Sequence, residues 1–443
     1  MPCIGKIVAV PITLTPPRSA SPRPVQTYYF MRGRKQFLEK LQTRHGDAFG
    51  IHFQKRPWTV LANPEMIKQV FTAPATVLHA GDANEILRPA LGKHSILLLD
   101  EGEHMRQRKL LLPPFHGERL AAQRAAMERV AAQQVERFPR GTPFEMRTQG
   151  QAIALEIILE VVLGTAATGE EHDRLAGPVE AVLEWIASPA RLALTGTLGA
   201  RHRLVKRMYG PILKPLDDAL YRLISERRAT PGIEQRDDIL SMLLTVEDED
   251  GNGMSDAELR DELVTLIIAG HETTSTALAW AFERLTRDRE ALARLEAESL
   301  TDQTEWTEAI SLETLRLRPV LDFVVRTVKQ PIEIGGYMFE PGDVVAPCIY
   351  LVHRRADIYE DPNSFKPERW LGVKPGTYTW LPFGGGVRRC IGSAFAMTEM
   401  EVVLRAVARG VHLEAVGPPE QPVPRFITSS PSRGGQVLVP ASV

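Results

Sequence analysis

Residues 381–392 read Leu-Pro-Phe-Gly-Gly-Gly-Val-Arg-Arg-Cys-Ile-Gly, and no other stretch of the chain limits its chemistry as closely. A cysteine thiolate that binds iron needs a rigid loop with backbone N–H groups near the sulfur, an apolar shield and a nearby positive charge. The glycines permit tight backbone, Phe383 can shield the sulfur, and Arg388 supplies the charge. Gly392 would let a helix pack closely behind the loop. The stretch therefore predicts Cys390 as a thiolate ligand, although a buried cysteine after a glycine turn is the commoner meaning of an isolated loop of this kind.

The spacing of five residues favours the iron ligand. They form the pattern F-x-x-G-x-R-x-C-x-G and are Phe383, Gly386, Arg388, Cys390 and Gly392. This pattern resembles the haem-thiolate loop of the cytochrome P450 superfamily, and three further segments lie upstream in the order that the family shows. The resemblance covers residues 45–440 and implies a soluble bacterial type of that fold. It also implies haem b as cofactor, Cys390 as the axial ligand of its iron, and the other four residues as cofactor-binding.

Length and composition agree with one large enzyme domain. The chain has 443 residues, of which 44% are hydrophobic, enough for a large core. No Gly/Ser-rich linker divides it, so we expect a single domain over residues 26–443, preceded by a flexible Pro-rich leader over residues 1–25. Lys plus Arg number 53 against 55 for Asp plus Glu, so no global charge favours nucleic acid or an acidic membrane.

Cysteine usage and the N-terminal sequence predict a cytoplasmic protein without a transmembrane anchor. Cys3, Cys348 and Cys390 form no C-x-x-C pair. Such a sparse, odd set suits a reducing compartment better than a disulfide framework. Cys348 is expected to be a small core residue of a strand. Residues 4–14 are apolar but too interrupted and too short to span a bilayer.

Periodicity predicts a mainly α-helical chain with a small β portion. Ser255 and Glu258 form a capping box, and the helix that they open runs without proline to about Thr286. Its length would be on the order of 45 Å, enough to cross a domain. The other predicted elements are a mostly helical region over residues 120–246, a hairpin over 48–54 and 57–62, short strands over 324–328, 332–334 and 343–352, and a helix over 393–408.

The long helix carries the run Ala269-Gly-His-Glu-Thr-Thr274 at its middle. A threonine there can bond to the carbonyl four residues back and distort the turn, and a widened turn would leave room for dioxygen and water. A surface glutamate and a capping threonine are the simpler interpretation. The run resembles the family's oxygen-activation motif, which implies that Thr273 contacts dioxygen, that Glu272 supplies protons and that Ala269 contacts the cofactor.

Glu313-Thr-Leu-Arg316 places an acid and a base one turn apart on a helix that ends before Pro319. By itself this is an ordinary solvated pair that contributes a few tenths of a kcal/mol. The resemblance implies instead a buried ion-pair triad of Glu313, Arg316 and Arg369 beneath the cysteine loop, with a structural role.

The two propionates of an enclosed haem must be neutralised. Four basic side chains match the family's positions for this role: His104, Arg108, Arg326 and Arg388. His104 and Arg108 are four residues apart on one predicted helix, although His104 alone could be a surface histidine.

The resemblance implies a hydrophobic small-molecule substrate, such as a lipid, a steroid or a terpenoid. Mostly apolar segments would line the pocket over residues 80–98, 263–268, 320–325 and 427–428. Asp322 departs from that pattern, so it would meet a polar substrate group or face solvent.

The chain ends about fifty residues after Cys390, so we expect electrons from a separate ferredoxin with its reductase, or from a flavodoxin. A negatively charged partner would face a basic surface made of Arg106, Lys109, Lys366, Lys374, Arg388 and Arg389. The alternative is that Arg388 faces a propionate and the other bases are scattered solvated charges.

Two other functions remain open at this point. A haem-thiolate enzyme that uses peroxide or rearranges its substrate without a reductase would have no need of Glu272 and Thr273. A non-catalytic haem carrier or sensor would keep Cys390 but, again, not the acid and the alcohol. Those two residues therefore distinguish a monooxygenase from both alternatives.

Overall fold

The computed structural model describes residues 15–53, 56–165, 169–425 and 427–441. Its helices are α1 (Arg23–Arg32), α2 (Arg34–His45), α3 (Pro64–Thr72), α4 (Arg88–Leu91), α5 (Glu101–Leu111), α6 (Gly117–Glu136), α7 (Met146–Ile157), α8 (Glu170–Ile186), α9 (Pro189–Leu198), α10 (Arg203–Arg228), α11 (Ile239–Thr245), α12 (Asp256–Leu285), α13 (Arg289–Ser299), α14 (Glu305–Leu317), α15 (Ile349–Val352) and α16 (Ser393–Gly410). Its strands are β1 (Ala48–Phe53), β2 (Arg56–Leu61), β3 (Leu78–His79), β4 (Phe144–Glu145), β5 (Arg326–Val328), β6 (Ile332–Ile334), β7 (Tyr337–Phe339), β8 (Val344–Pro347), β9 (Glu414–Ala415), β10 (Pro422–Arg425), β11 (Thr428–Pro431) and β12 (Gln436–Leu438). The predicted mainly α-helical class with a small β portion is confirmed.

The long helix α12 forms the centre of the molecule, as predicted. The Ser255 side chain accepts from the Glu258 N–H while the Glu258 carboxylate accepts from the Ser255 N–H, which completes the capping box. The helix contacts α7, α10, α14, α16 and β11. Because neighbours pack on several sides, most of its residues are buried, charged ones included. A stretch of α12 that keeps exposed surface is therefore a candidate part of a binding site.

The main sheet has the strand order β1-β2-β8-β5-β3. The predicted hairpin of β1 and β2 is confirmed, with Ala48 opposite Leu61. The strand predicted over residues 343–352 is wrong in its second half, since β8 ends at Pro347 and α15 begins at Ile349. Proline has no N–H to donate to a neighbouring strand, which accounts for the end of β8. Cys348 is buried as predicted but lies at the N-cap of α15 rather than within a strand.

The segment predicted as a leader lies partly outside the described residues, which begin at Thr15. Within its described part, Arg18 forms a β-bridge with Gly50 of β1, and α1 begins at Arg23. Residues 15–25 thus contact the same unit as the rest of the chain. Across the described ranges, none of the helices combines the length and the apolar character needed to cross a membrane.

Candidate active site

The cysteine loop is a tight turn placed directly before α16. Gly384 and Gly386 have φ angles of +67° and +64°, a region that favours glycine. A Cβ on Gly386 would lie 2.2 Å from the carbonyl oxygen of Phe71, so no larger residue fits there. The Cys390 N–H donates to the Phe383 carbonyl at 3.0 Å, which closes the turn. The glycines therefore shape the loop as the sequence predicts.

Gly392 has a different role from the predicted one. A Cβ on Gly392 would have no atom within 4 Å, so close packing of a helix does not explain the glycine. Its N–H instead lies near enough to the Cys390 thiol to lower the pKa of that group. An N–H directed at the sulfur stabilises negative charge there, as a thiolate ligand requires.

Cys390 keeps exposed surface in its loop, but many protein atoms lie around its side chain and partly desolvate the thiol. This burial raises the pKa of the Cys390 thiol above its usual value, while the Gly392 N–H, Arg389 and Arg108 act in the opposite direction. The loop alone thus leaves the thiol protonated. A bound metal cation would remove that proton, because a coordinating thiol is deprotonated outright. The donor set fits an iron ligand.

Phe383 is held in place by a row of aromatic rings. Its ring lies 5.9 Å from that of Trp380 and Trp380 lies 6.4 Å from Trp370, both edge to face. The Trp380 indole N–H donates to the Leu312 carbonyl at 3.1 Å. These contacts hold an apolar ring at the start of the loop, and its shielding of the sulfur stays a prediction.

The four predicted basic side chains come together in one cluster. Three of them, Arg388, Arg108 and Arg326, lie close enough to act on His104. Burial first, and then these three charges, lower the pKa of His104 to about 3, so the imidazole is neutral. Burial, followed by Arg388, also lowers the pKa of Arg326 to about 10. The prediction that His104 points into this cluster rather than lying on the surface agrees with its 2% exposure.

The cluster has more positive charge than its neighbours offset. Asp100 is a carboxylate that pairs with Arg388, whereas the Arg108 guanidinium donates to the Arg389 carbonyl at 2.8 Å and the Arg326 guanidinium to the Val325 carbonyl at 2.8 Å. Burying guanidinium groups without counter-charge is costly. Two carboxylates, as on a haem, would supply it, so the residues fit this cofactor.

The predicted triad is connected, and two of its three members are fully buried. The Arg316 and Glu313 side chains have 0% exposure and form two hydrogen bonds of 2.7 and 2.8 Å, and Arg369 lies 3.2 Å from the same carboxylate. Arg316 also donates to three carbonyls, those of His353, Pro362 and Ser364. Glu313 further accepts from the Lys366 N–H and the Trp370 indole. The triad thus fixes the chain on either side of residue 366.

Sequence reasoning missed His353, which joins this triad to the cysteine loop. His353 is fully buried, its Nε2 accepts from the Leu381 N–H at 2.7 Å, and its Nδ1 lies 3.2 Å from the Arg316 carbonyl. Because Nε2 accepts, the ring is neutral with its proton on Nδ1. Burial, and secondly Arg316, lower the pKa of His353 to about 3, in agreement with a neutral ring. A lone histidine after an apolar run gives no signal that would reveal the role.

On α12 the structure brings Ala269 and Thr273 together, since the Thr273 hydroxyl donates to the Ala269 carbonyl at 2.7 Å. This is the expected bond to the residue four positions back. The widened turn expected with it is absent: α12 stays α-helical through these residues. The threonine bond does not disrupt the helix, because the carbonyl that accepts from the hydroxyl also still accepts from the backbone N–H four residues later.

Glu272 points toward polar partners on other elements. Gln151 of α7 donates to its carboxylate at 2.9 Å, and the Arg425 guanidinium of β10 lies 3.3 Å away. The side chain is 15% exposed. The carboxylate thus lies between an amide and a guanidinium and keeps a small exposed surface.

Asp322 is neither a substrate contact nor a solvent-facing residue, so both expectations for it are wrong. It is 4% exposed and pairs with Arg34 at 3.0 Å and Lys35 at 3.7 Å, both of α2. Its carbonyl accepts from the Tyr350 N–H. The carboxylate tolerates burial because α2 supplies its counter-charges, which lie nearly 290 residues earlier in the chain and give no local signal.

Comparisons with known proteins agree with this geometry. The family model described as Cytochrome P450 matches residues 17–437. Cytochrome P450 135B1 of Mycobacterium bovis is 39% identical over 94% of this chain and 90% of its own length. Cytochrome P450 137 of Mycobacterium tuberculosis is 38% identical over 85% of this chain and 79% of its own length.

A solved structure shares the fold. It is the retinoic acid-bound cyanobacterial CYP120A1, with a TM-score of 0.80, 21% identity, and coverage of 96% of this chain and 99% of that chain. At this identity the likeness concerns the fold alone. The family model and the mycobacterial relatives, however, span nearly the whole sequence, so the chain belongs to the cytochrome P450 family of haem-thiolate monooxygenases.

Proposed function

We propose that this enzyme inserts one oxygen atom of O2 into a hydrophobic small molecule of the lipid, steroid or terpenoid kind. One observation carries the proposal. Leu266, Ala269 and Thr273 lie on one face of α12 and keep exposed surface, although the helix is otherwise mostly buried. Their spacing of three and four residues defines a stripe in which two apolar side chains adjoin a hydroxyl. A monooxygenase needs such a site, in which an apolar substrate binds next to a hydroxyl that can donate a proton.

The cofactor would be haem b, held by Cys390 at the iron and by His104, Arg108, Arg326 and Arg388 at the propionates. When bound, haem supplies the reductive activation of dioxygen. The protein binds and orients the substrate against the exposed stripe. Thr273 would hold a proton at its hydroxyl oxygen close to the reacting centre, and Glu272 would replenish it from solvent. Phe383 and its aromatic neighbours would exclude water from the sulfur.

The acid and alcohol pair distinguishes this proposal from its alternatives. An enzyme that uses peroxide or rearranges its substrate, or a carrier, would need neither Glu272 nor Thr273. Electrons would come from a separate ferredoxin with its reductase, or from a flavodoxin. We also propose a cytoplasmic location, because a sparse, odd set of three cysteines suits a reducing compartment.

Isotope labelling tests the proposed reaction. The purified enzyme would first be screened against lipids, sterols and terpenes for ligand-induced changes in its haem spectrum. Each hit would then be incubated under 18O2 with NADPH, ferredoxin and ferredoxin reductase. We expect a product that contains one labelled oxygen atom and forms only when all electron-transfer components are present. Product formation with hydrogen peroxide alone, and none with the electron-transfer system, would establish the peroxide-using alternative instead.

A further inference from the structure

Asp100 connects three parts of the chain through one carboxylate. Its Oδ1 accepts from the N–H groups of Ala80 and Gly81, both at 3.0 Å, and its Oδ2 accepts from the Asp82 N–H at 3.2 Å. The Arg388 guanidinium donates to the same Oδ1. Both side chains are largely buried, at 14% exposure for Asp100 and 13% for Arg388. The contact is therefore a shielded ion pair rather than a surface one.

The Asp100 carboxylate makes these contacts instead of capping the N-terminus of its own helix, α5. Asp100 is the N-cap residue of α5, a position where aspartate normally accepts from the first N–H groups of its own helix, yet it forms no such bond. The next residue, Glu101, has a φ of +49°, which is unfavourable for a residue with a side chain. The strained backbone at Glu101 and the missing cap bond of Asp100 both indicate that the distant partners of the carboxylate determine its position.

Arg388 is held on its other side by the segment just before Asp100. It donates to the Ile96 carbonyl at 3.2 Å and also to the Leu99 carbonyl. The Ile96 N–H in turn donates to Glu262 of α12 at 2.7 Å. Gly81 completes the arrangement, because a Cβ there would lie 2.4 Å from the Leu98 carbonyl oxygen. The turn at residues 80–82, the segment 96–100 and Arg388 thus form one packed unit.

We propose that Asp100 is a positioning residue that fixes Arg388 beside the cysteine loop and couples it to the turn at residues 80–82. The inference rests on the proposed role of Arg388 as a partner of haem. Residues 80–98 were expected to line the substrate pocket, so this coupling would let movement of that segment change the charge felt by the haem. Asp100 partly offsets Arg388, and removing its negative charge makes reduction of the haem easier.

Three variants separate the electrostatic role from a structural one. Asp100→Asn removes the charge but keeps an oxygen that accepts from the backbone, whereas Asp100→Ala removes both. Asp218→Asn is the control for loss of a carboxylate elsewhere, since Asp218 is 65% exposed on its side chain and pairs with Lys214 rather than with Arg388. The measurements are the midpoint potential of the haem and amide hydrogen exchange at residues 80–82.

We expect a positive shift of the midpoint potential in Asp100→Asn and Asp100→Ala, and none in Asp218→Asn. Exchange at residues 80–82 should accelerate at least tenfold in Asp100→Ala and little in Asp100→Asn. In an Arg388→Gln background, Asp100→Asn should cause a smaller shift. Equal potentials in the wild type and Asp100→Asn would overturn the inference. Absence of a thiolate-ligated haem spectrum in the wild type would overturn the proposed function instead.

Discussion

At the scale of single residues, burial shifts the pKa values of several groups of this enzyme and so changes their protonation. His104 and His353 are neutral because they are enclosed beside guanidinium groups, and burial raises the pKa of the Cys390 thiol. Thr273 is different, since its hydroxyl keeps exposed surface and is oriented by the Ala269 carbonyl. The residues with proposed chemical roles thus follow from their surroundings and not from their type alone.

Replacing Thr273 by alanine should uncouple electron consumption from product formation. Positioned proton donors typically contribute about a hundredfold or more, and Thr273→Ala loses the hydroxyl without disturbing Cys390. We expect unchanged haem content and substrate binding, with electrons diverted to hydrogen peroxide or water. The measurement is product formed per NADPH consumed, with Thr273→Ser as the control that keeps the hydroxyl. Coupling in Thr273→Ala equal to that of the wild type would contradict the assignment.

The low pKa of the buried His353 predicts that the folded protein loses stability in mild acid. Its pKa of about 3 in the folded protein lies below the ordinary value of about 6.5 in the unfolded chain. Because the unfolded state binds the proton more readily, stability is full above about pH 6.5 and falls as the pH drops toward 3. At pH 5 the loss from this group is about 2 kcal/mol.

Denaturant unfolding at pH 7 and pH 5 measures this loss. His353→Gln can accept from Leu381 and donate to the Arg316 carbonyl without titrating, so its stability should change less with pH than that of the wild type. His104 acts in the same direction and remains in both proteins. An identical pH dependence in the two proteins would show that His353 does not contribute as described.

At the scale of elements, the Glu313, Arg316 and Arg369 triad ties α14 to the chain that leads into the cysteine loop. Removing one partner of a buried ion pair leaves an uncompensated charge and costs about 3 to 5 kcal/mol. Glu313→Ala and Arg316→Ala should therefore give haem-poor, poorly soluble protein, measured as haem per polypeptide after purification. Asp218→Ala is the control, because its pair with Lys214 is 65% and 72% exposed. Normal haem content in Glu313→Ala would refute the structural role.

The elements near the site differ in how well the sequence predicts them. The capping box at Ser255 and the glycine pattern before Cys390 are local signals, and α12 and the loop follow from them. The end of β8 at Pro347 was missed because a continuous apolar run fits a strand and a short buried helix equally well. Asp322 and His353 were missed for another reason. Their partners lie far away in sequence, and only folding brings these groups together.

At the scale of the whole molecule, the predicted basic face for a redox partner is only partly available. Arg106 pairs with Asp248 and Glu258, and Lys109 pairs with Glu249. Lys366 likewise pairs with Asp361. Arg389 and Lys374, in contrast, are exposed and have no carboxylate partner among the residues that the structure describes, and of the two Arg389 adjoins Cys390 in the chain. Its guanidinium is therefore the strongest candidate for docking an acidic ferredoxin.

Reversing this charge should slow electron transfer without affecting the substrate site. We expect Arg389→Glu to lower the rate of reduction by an acidic ferredoxin at low salt. The difference from the wild type should shrink as salt rises, since exposed charges are screened over about 8 Å at physiological ionic strength. Lys214→Glu on α10 is the control for overall charge. Equal reduction rates in Arg389→Glu and wild type across the salt series would place the docking face elsewhere.

The haem spectrum of the reduced protein under carbon monoxide tests the central claim most directly. The wild type should show the red-shifted Soret band of a thiolate-ligated haem, because Cys390 is the proposed axial ligand. Cys390→Ser should lose that band, while Cys348→Ser, which changes a buried thiol outside the loop, should keep it. A red-shifted band that persists in Cys390→Ser would contradict the account.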